Sequence, residues 1–227
     1  MKYRYLLVDN DNTLMDFDAA ERKALTASLA VFGKPCGEDV FNVYHAINKV
    51  LWEALERGET TQPLLKVERF ARLNAHYGWT DVDPAQLAMV FQNDLATHAD
   101  LLPGAADFIH AIHGKMKIAL VSNGVSATQR GRLSVCPFTP LLDAIVISEE
   151  IGISKPNPAM VDIALEKLGC TDKSQAVFMG DSHSADICAA WNAGVDSIWL
   201  NLRGKGESEK ATYVVESLEE AEALLLR

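Results

Sequence analysis

Two patterns of hydrophobic and polar residues follow one another along the chain. Between about residues 16 and 96, apolar side chains recur three or four positions apart, which is the spacing of one buried face of an α-helix. Glycine and proline interrupt this pattern where a helix would end or begin, since glycine favours helix C-termini and proline favours the first helical turn. The pattern predicts four consecutive helices with no strand between them, at about 16–31, 38–57, 61–77 and 84–96.

A different pattern begins after Leu101-Leu102-Pro103-Gly104. Short apolar runs alternate there with helical segments, an arrangement typical of a parallel sheet covered by helices on both faces. The predicted strands lie at 117–121, 143–147, 176–179 and 197–200, and the predicted helices at about 126–133, 157–168 and 184–193.

The apolar run Tyr5-Leu6-Leu7-Val8 is expected to be a further strand of the same sheet. The chain is therefore predicted to be an α/β protein with a doubly wound parallel sheet. Its domains would be an α/β core that carries the functional site, residues 1–15 and 97–227, and an all-helical domain, residues 16–96, inserted after the first strand.

Four polar clusters follow predicted strands, directly or shortly downstream. Ligands of parallel α/β sheets bind beyond the carboxyl ends of the strands, so these clusters are expected to meet at one edge of the sheet. The clusters are Asp9-Asn10-Asp11-Asn12-Thr13, Ser122-Asn123-Gly124, Lys155-Pro156, and Gly180-Asp181 with Asp186.

The first cluster contains two carboxylates in close succession, Asp9 and Asp11. Such a pair repels itself in a low-dielectric site unless a cation neutralises it or one acid keeps its proton. The pattern indicates a metal-assisted nucleophile beside a general acid. A calcium-binding EF-hand loop is disfavoured, because that loop needs glycine at its sixth position, where this chain has Leu14, and a helix rather than a strand before it.

Composition narrows the classes of partner. A chain of 227 residues, 48% of them hydrophobic, can bury a substantial core, and a formal net charge of −10 argues against binding a nucleic acid polymer. No apolar run approaches the roughly 20 residues of a membrane helix, and none near the start suits a signal peptide, so we expect a cytoplasmic protein with no membrane partner. The four cysteines are scattered and are expected to be free thiols.

Taken together, the four clusters resemble the motifs of the haloacid dehalogenase superfamily of phosphatases. The Asp9–Thr13 segment matches the DxDx[TV] motif, Ser122 the second motif, Lys155 the third, and residues 180–186, GDSHSAD, the fourth. The resemblance covers essentially the whole chain and implies a Rossmann-like core with a helical cap inserted after the first motif. Strings at 45–52, 146–152 and 191–194 are similar to the pyrimidine 5′-nucleotidase branch.

The resemblance assigns roles to individual residues. Asp9 would be the nucleophile that forms an aspartyl-phosphate, and Asp11 the general acid and base. It implies a Mg²⁺ cofactor held by the carboxylates of Asp9 and Asp181 and by the backbone carbonyl of Asp11.

Further assignments concern the phosphate and the leaving group. Ser122 and the amide of Asn123 would hold phosphoryl oxygens, and Lys155 would neutralise their charge. Thr13 is expected in the phosphate-binding loop as a supporting hydroxyl, and Asp186 is expected to orient Lys155 or a metal-bound water. Asn48, Lys49 and Trp52 of the second predicted helix are candidates for contacting a nucleotide base, although packing and solvation explain them equally well.

These features predict a magnesium-dependent phosphomonoesterase for a small phosphate ester, with nucleoside 5′-monophosphates first and pyrimidine deoxynucleotides foremost among them. Within the superfamily, a phosphatase for sugar phosphates or phosphoglycolate and a phosphomutase stay open as alternatives. A dehalogenase is disfavoured, because those relatives lack the acid at the position of Asp11 and need no metal. An alternative of another class is a non-catalytic nucleotide-binding or regulatory module. The two acids argue against it, because such a module would have no need of Asp9 and Asp11 together. The pattern does not predict an oligomeric state.

Overall fold

A computed structural model describes residues 1–204 and 206–227 of the chain. Its six strands form one fully parallel sheet in the order β3-β2-β1-β4-β5-β6, so the first strand lies at the centre. The predicted doubly wound α/β fold is therefore confirmed. The strands are β1 (Tyr5–Val8), β2 (Lys117–Ser122), β3 (Ala144–Ile147), β4 (Ala176–Gly180), β5 (Asp196–Leu200) and β6 (Tyr213–Val215).

Ten α-helices accompany the sheet within the described residues. They are α1 (Phe17–Val31), α2 (Glu38–Glu56), α3 (Gln62–Tyr77), α4 (Pro84–Leu95), α5 (Ala105–Ile112), α6 (Ser126–Ser134), α7 (Ser148–Ile151), α8 (Ala159–Leu168), α9 (Cys188–Ala193) and α10 (Leu218–Leu225). A π-helical turn at His183–Ile187 directly precedes α9. No helix of the described chain combines the length and the apolar character that crossing a bilayer requires.

The central strands are apolar on both sides because the sheet is covered on both faces. In β1, Leu6, Leu7 and Val8 are fully buried. Burying each such side chain contributes about 1.5–3 kcal/mol, so the sheet is held chiefly by its own apolar strands and the helices on them. One of its clusters joins Leu7, Ala119 and Phe178 of three adjacent strands to Met160, Val161 and Ala164 of α8 and to Ala189 and Ala190 of α9.

The register of the central strands decides where the polar clusters emerge. Val8 lies beside Leu120 of β2 and beside Met179 of β4. Asp9 and Gly180 therefore follow at the same level along neighbouring strands. This register brings the first and fourth clusters to one edge of the sheet.

The chain contains two compact units, residues 1–17, 100–126 and 133–227 in the first and residues 18–99 and 127–132 in the second. The first holds the sheet. The second holds the four consecutive helices, whose bounds match the predicted helices closely. Its centre is aromatic: the rings of Tyr44, Phe70 and Phe91 lie 5.3–5.7 Å apart, centroid to centroid.

Part of α6 groups with the helical unit, whereas the sequence pattern placed it in the core. Gly131 has no Cβ and lies against Ala96, which a methyl group at residue 131 would overlap. The guanidinium Nε of Arg132 donates to the carbonyl of His98 at 2.8 Å, and Thr128 bonds the Gln92 side chain. These contacts tie residues 127–132 to the end of α4.

Two elements near the end of the chain were not predicted. β6 has three residues, too few to show an alternating pattern. The helix α10 did carry a signal that could have been used: Leu218, Ala221 and Leu225 are buried at helical spacing, and Ser217 caps the helix by accepting from the amide of Glu220.

Candidate active site

Asp9 lies directly after the central strand and is almost completely buried. Its amide donates to the carbonyl of Met179 at 2.9 Å, which continues the ladder between β1 and β4 by one residue. A tight turn follows, in which the carbonyl of Asn10 accepts from the amides of Leu14 and Met15. Asn12 adopts φ 58° in this turn, a left-handed conformation that asparagine tolerates better than most residues.

Lys155 provides the positive charge of the site. Its Nζ lies 2.6 Å from Asp9 Oδ1, 2.7 Å from Asp186 Oδ1 and 2.8 Å from the carbonyl oxygen of Val121. An ammonium group has three N–H donors, and three oxygens surround this one. The side chains of Lys155 and Asp186 are 2% and 1% exposed, so this is a buried charge cluster.

The buried environment shifts the pKa values of these groups in a definite direction. Burial raises the pKa of Asp9 well above its usual value; Lys155 opposes this, whereas Asp186 and Asp11 raise the pKa further. Burial alone would lower the pKa of Lys155, but the carboxylates of Asp186 and Asp9 outweigh it and raise the pKa. Lys155 therefore stays charged, and the excess of negative charge around it favours a bound cation.

Three carboxylates could hold such a cation. One oxygen each of Asp9, Asp181 and Asp186 lie within 4.8 Å of one another. Hard carboxylate oxygens are the ligands that Mg²⁺ prefers, so the chemistry of the donor set fits this ion. The group contains the two carboxylates that the motifs predicted, Asp9 and Asp181. Asp186, predicted to act behind them, also reaches the group while it contacts Lys155.

The position of Asp181 is fixed from two sides. Its amide donates to the Thr13 hydroxyl at 3.1 Å, and its carbonyl accepts from the indole Nε1 of Trp199 at 2.9 Å. The Thr13 hydroxyl is also 3.4 Å from Asp9 Oδ2. Thr13, which was expected in the phosphate-binding loop, is thus fully buried and connects the first cluster to the fourth. These contacts favour the supporting role that was expected for its hydroxyl.

The carboxylate of Asp186 packs closely against the backbone of the fourth cluster. Its Oδ2 accepts from the amide of Ser182 at 2.9 Å. A side chain at residue 180 would overlap the Asp186 carboxylate, so Gly180 leaves the space that this carboxylate occupies. The glycine of the fourth motif therefore has a steric reason.

Ser122 is the last residue of β2, and Asn123 follows it at the same edge of the sheet. Ser122 is buried, and its hydroxyl accepts from the amide of Gly124 at 3.0 Å. The side chain of Asn123 exchanges two hydrogen bonds with the backbone of Lys155: Nδ2 donates to its carbonyl at 2.9 Å, and Oδ1 accepts from its amide at 2.7 Å. The phosphate contact predicted for Asn123 used its backbone amide, which this arrangement of the side chain does not occupy.

The three specificity candidates in α2 differ in their surroundings. Asn48 is buried within the helical unit, where its Nδ2 donates to Glu21 Oε1 at 2.7 Å and its Oδ1 accepts from Arg69 at 3.2 Å. Lys49 is exposed, with its Nζ 4.0 Å from Glu53, and Trp52 is half-buried. The contacts of Asn48 favour the packing interpretation for that residue.

Trp199 and Gly180 are site residues to which the sequence pattern assigned no role. Gly180 stands in the fourth motif, so its position was visible. Trp199 lies inside an apolar strand, and the sole hint in the sequence was a hydrogen-bond donor in a segment otherwise expected to be buried.

Comparison with known proteins agrees with this geometry. Residues 6–200 match the model of the haloacid dehalogenase-like hydrolase family. Over its whole length the chain is 36% identical to the whole of pyrimidine 5′-nucleotidase YjjG of Escherichia coli. It is 35% identical to pyrimidine 5′-nucleotidase PynA of Streptococcus pneumoniae, over 88% of this chain and 85% of that one.

A solved structure matches the whole chain. The magnesium-bound crystal structure of the HAD-hydrolase YfnB from Bacillus subtilis has a TM-score of 0.93 and 32% identity, and the match covers 99% of each chain. The resemblance inferred from the four motifs, and with it the prediction of an enzyme, is confirmed: the protein belongs to the haloacid dehalogenase-like hydrolase family.

Proposed function

We propose that the protein is a magnesium-dependent phosphomonoesterase that works through an aspartyl-phosphate on Asp9. The observation that carries this proposal is the contact of the buried Asp9 carboxylate with Lys155, 2.6 Å away, beside the carboxylates of Asp181 and Asp186. Lys155 orients this carboxylate by contacting one of its oxygens. The groups around it attract phosphate or a divalent cation.

The proposed reaction has two steps, in which Asp9 and Asp11 have separate roles. An oxygen of Asp9 attacks phosphorus in line, the bond to the ester oxygen breaks, and Asp11 gives its proton to the departing alcohol. Asp11 then takes a proton from water as the water oxygen attacks the same phosphorus, which frees Asp9 and releases phosphate. A general acid and base of this kind typically contributes about 10²–10⁴ in rate.

Other residues bind and orient the phosphoryl group. Ser122 and the backbone amide of Asn123 would hold its oxygens, and Lys155 would balance the charge that they carry. Asp9, Asp181 and the backbone carbonyl of Asp11 would hold the Mg²⁺ ion, with Asp186 close behind. When bound, Mg²⁺ supplies charge neutralisation at the phosphoryl oxygens and so lets the anionic nucleophile approach.

The substrate we propose is a nucleoside 5′-monophosphate, with a pyrimidine base first. Its support is the full-length similarity to YjjG and the extensive similarity to PynA, both named pyrimidine 5′-nucleotidases. A sugar phosphate or phosphoglycolate is the second candidate, since the phosphate-binding groups do not depend on the alcohol.

We assign the helical unit the role of a cap domain that selects the leaving group. Such a cap excludes bulk water and selects small substrates. The segments near residues 15–18 and 96–102, at two of the boundaries between the units, would serve as its hinges. In the relative YfnB, the magnesium-bound crystal form reveals interdomain movement, which is the behaviour a cap of this kind requires.

A panel of phosphate esters, assayed for phosphate release with Mg²⁺ and again with a chelator, tests this proposal. We expect phosphate release in the presence of Mg²⁺ and none with the chelator. Among the esters, pyrimidine nucleoside monophosphates should have the highest kcat/KM. Higher values for sugar phosphates would overturn the nucleotide assignment and leave the reaction standing. Nucleotide binding without release from any ester would favour a non-catalytic binding module.

A further inference from the structure

The backbone of Lys155 depends on a side chain for its hydrogen bonds. Lys155 lies in the irregular segment between α7 and α8, outside every helix and strand. Within the described residues, its backbone amide and carbonyl bond to the side chain of Asn123, at 2.7 and 2.9 Å. Buried backbone groups are usually paired in a helix or sheet. Here the side-chain amide of Asn123 forms the hydrogen bonds that a neighbouring strand would otherwise form.

This pairing connects two of the polar clusters. Asn123 follows directly on β2, and β2 also supplies the Val121 carbonyl that accepts from Lys155 Nζ at 2.8 Å. Lys155 is therefore attached to the end of β2 both through its backbone and through the tip of its side chain. A long side chain whose two ends are fixed in this way has few rotamers left, so its Nζ stays beside Asp9.

We propose that the side chain of Asn123 is a positioning residue for Lys155, distinct from the phosphate contact assigned to its backbone amide. The inference rests on the proposed function, in which Lys155 balances the charge of the transferring phosphoryl group. Displacing a reacting or charge-balancing group by about 1 Å can cost 10²-fold in rate, so losing both hydrogen bonds should slow phosphoryl transfer.

A second asparagine holds the next residue more weakly. Asn192 Nδ2 donates to the carbonyl of Pro156 at 3.0 Å, but Asn192 is exposed, so water competes for this bond. We therefore expect the two asparagines to differ: the two hydrogen bonds of the half-buried Asn123 should matter more for Lys155 than the single exposed bond of Asn192.

The test is a double-mutant cycle between Asn123→Ala and Lys155→Met. Asn123→Ala keeps the backbone amide and should lower kcat about 10-fold to 100-fold. In the Lys155→Met background the same change should cost almost nothing more, because the group that Asn123 positions is gone. Binding of orthovanadate, measured by calorimetry, gives the same cycle when the Lys155→Met enzyme is too slow to assay.

Asn74→Ala is the matched control. Asn74 is buried, and its Nδ2 likewise donates to a backbone carbonyl, that of Val82, at 2.8 Å, but it lies in the helical unit. Its replacement should lower the melting temperature and leave kcat at the wild-type value. If Asn123→Ala behaves like Asn74→Ala, or if its effect is the same with and without Lys155, the inference is wrong. If the wild-type enzyme itself releases no phosphate, the proposed function fails instead.

Discussion

The hydroxyl of Thr13 accepts the amide N–H of Asp181 at 3.1 Å, across 168 residues of sequence. The same hydroxyl lies 3.4 Å from Asp9 Oδ2. One buried oxygen thus contacts both the backbone of Asp181 and the carboxylate of Asp9, two residues that we assign to the metal ion. We therefore propose that Thr13 helps to hold Asp9 and Asp181 in place whether or not the ion is bound.

Replacing Thr13 by valine tests this connection. Valine has nearly the same shape but no hydroxyl, so we expect the free energy of unfolding to fall by about 1–3 kcal/mol, the cost of removing one partner of a buried hydrogen bond. Mg²⁺ binding, measured by calorimetry, should weaken as well. Thr13→Ser keeps the hydroxyl and should bind Mg²⁺ nearly as the wild type does. Weaker Mg²⁺ binding in Thr13→Ser together with unchanged binding in Thr13→Val would mean that packing of the methyl group, not the hydroxyl, matters.

Trp199 is a second residue that contacts the backbone of Asp181. Its indole Nε1 donates to the Asp181 carbonyl at 2.9 Å, and its ring is buried. Trp199→Phe should weaken Mg²⁺ binding by roughly 3-fold to 10-fold, which corresponds to the net worth of one hydrogen bond.

The control for this variant is Trp191→Phe. Trp191 is 57% exposed, so its replacement should leave the Mg²⁺ dissociation constant unchanged. If calorimetry gives the same constant for Trp199→Phe as for the wild type, the indole does not position Asp181.

Lys155 balances buried negative charge even before any substrate binds. Lys155→Met leaves Asp9 and Asp186 buried without their cation, and breaking such a pair costs about 3–5 kcal/mol. We expect this loss in chemical denaturation in the absence of Mg²⁺.

A second substitution separates this charge effect from a packing effect. Adding Asp186→Asn to Lys155→Met removes one of the stranded carboxylates and should restore part of the stability. If the double variant is no more stable than Lys155→Met, then the lost contribution is packing of the lysine stem rather than charge.

The three candidates in α2 should separate into two kinds. Asn48→Ala breaks the buried link between Glu21 and Arg69, so its main effect should be a lower melting temperature of the protein. Lys49→Ala removes an exposed charge and should leave stability unchanged. In kcat/KM ratios, Lys49→Ala or Trp52→Ala should alter the preference among natural esters more than the rate with p-nitrophenyl phosphate; uniform losses on every ester would contradict a role in specificity.

The sequence predicted the site best where polar residues directly follow an apolar run that forms a strand. Asp9 follows an apolar run, Gly180 and Asp181 follow another, and the parallel register then brings them to neighbouring strand ends. The four helices of the second unit were equally predictable, because each shows apolar residues at helical spacing and begins or ends near glycine or proline.

Other features depend on contacts between distant residues and leave no local pattern. The exchange of hydrogen bonds between Asn123 and Lys155 requires knowing where the irregular segment after α7 lies. The grouping of residues 127–132 with the helical unit depends on the close approach of Gly131 to Ala96, and glycine inside a helix has several meanings. The buried position of Asn48 depends on Glu21 and Arg69, each more than 20 residues away.

The central claim is that Asp9 carries the phosphoryl group during turnover. The most direct measurement is mass spectrometry of peptides from enzyme quenched in acid during reaction with a pyrimidine nucleoside monophosphate and Mg²⁺. We expect one phosphoryl group on the peptide that contains Asp9, and none on the same peptide from Asp9→Asn. Phosphate release at the wild-type rate by Asp9→Asn, or a phosphoryl group on a different residue, would contradict the account.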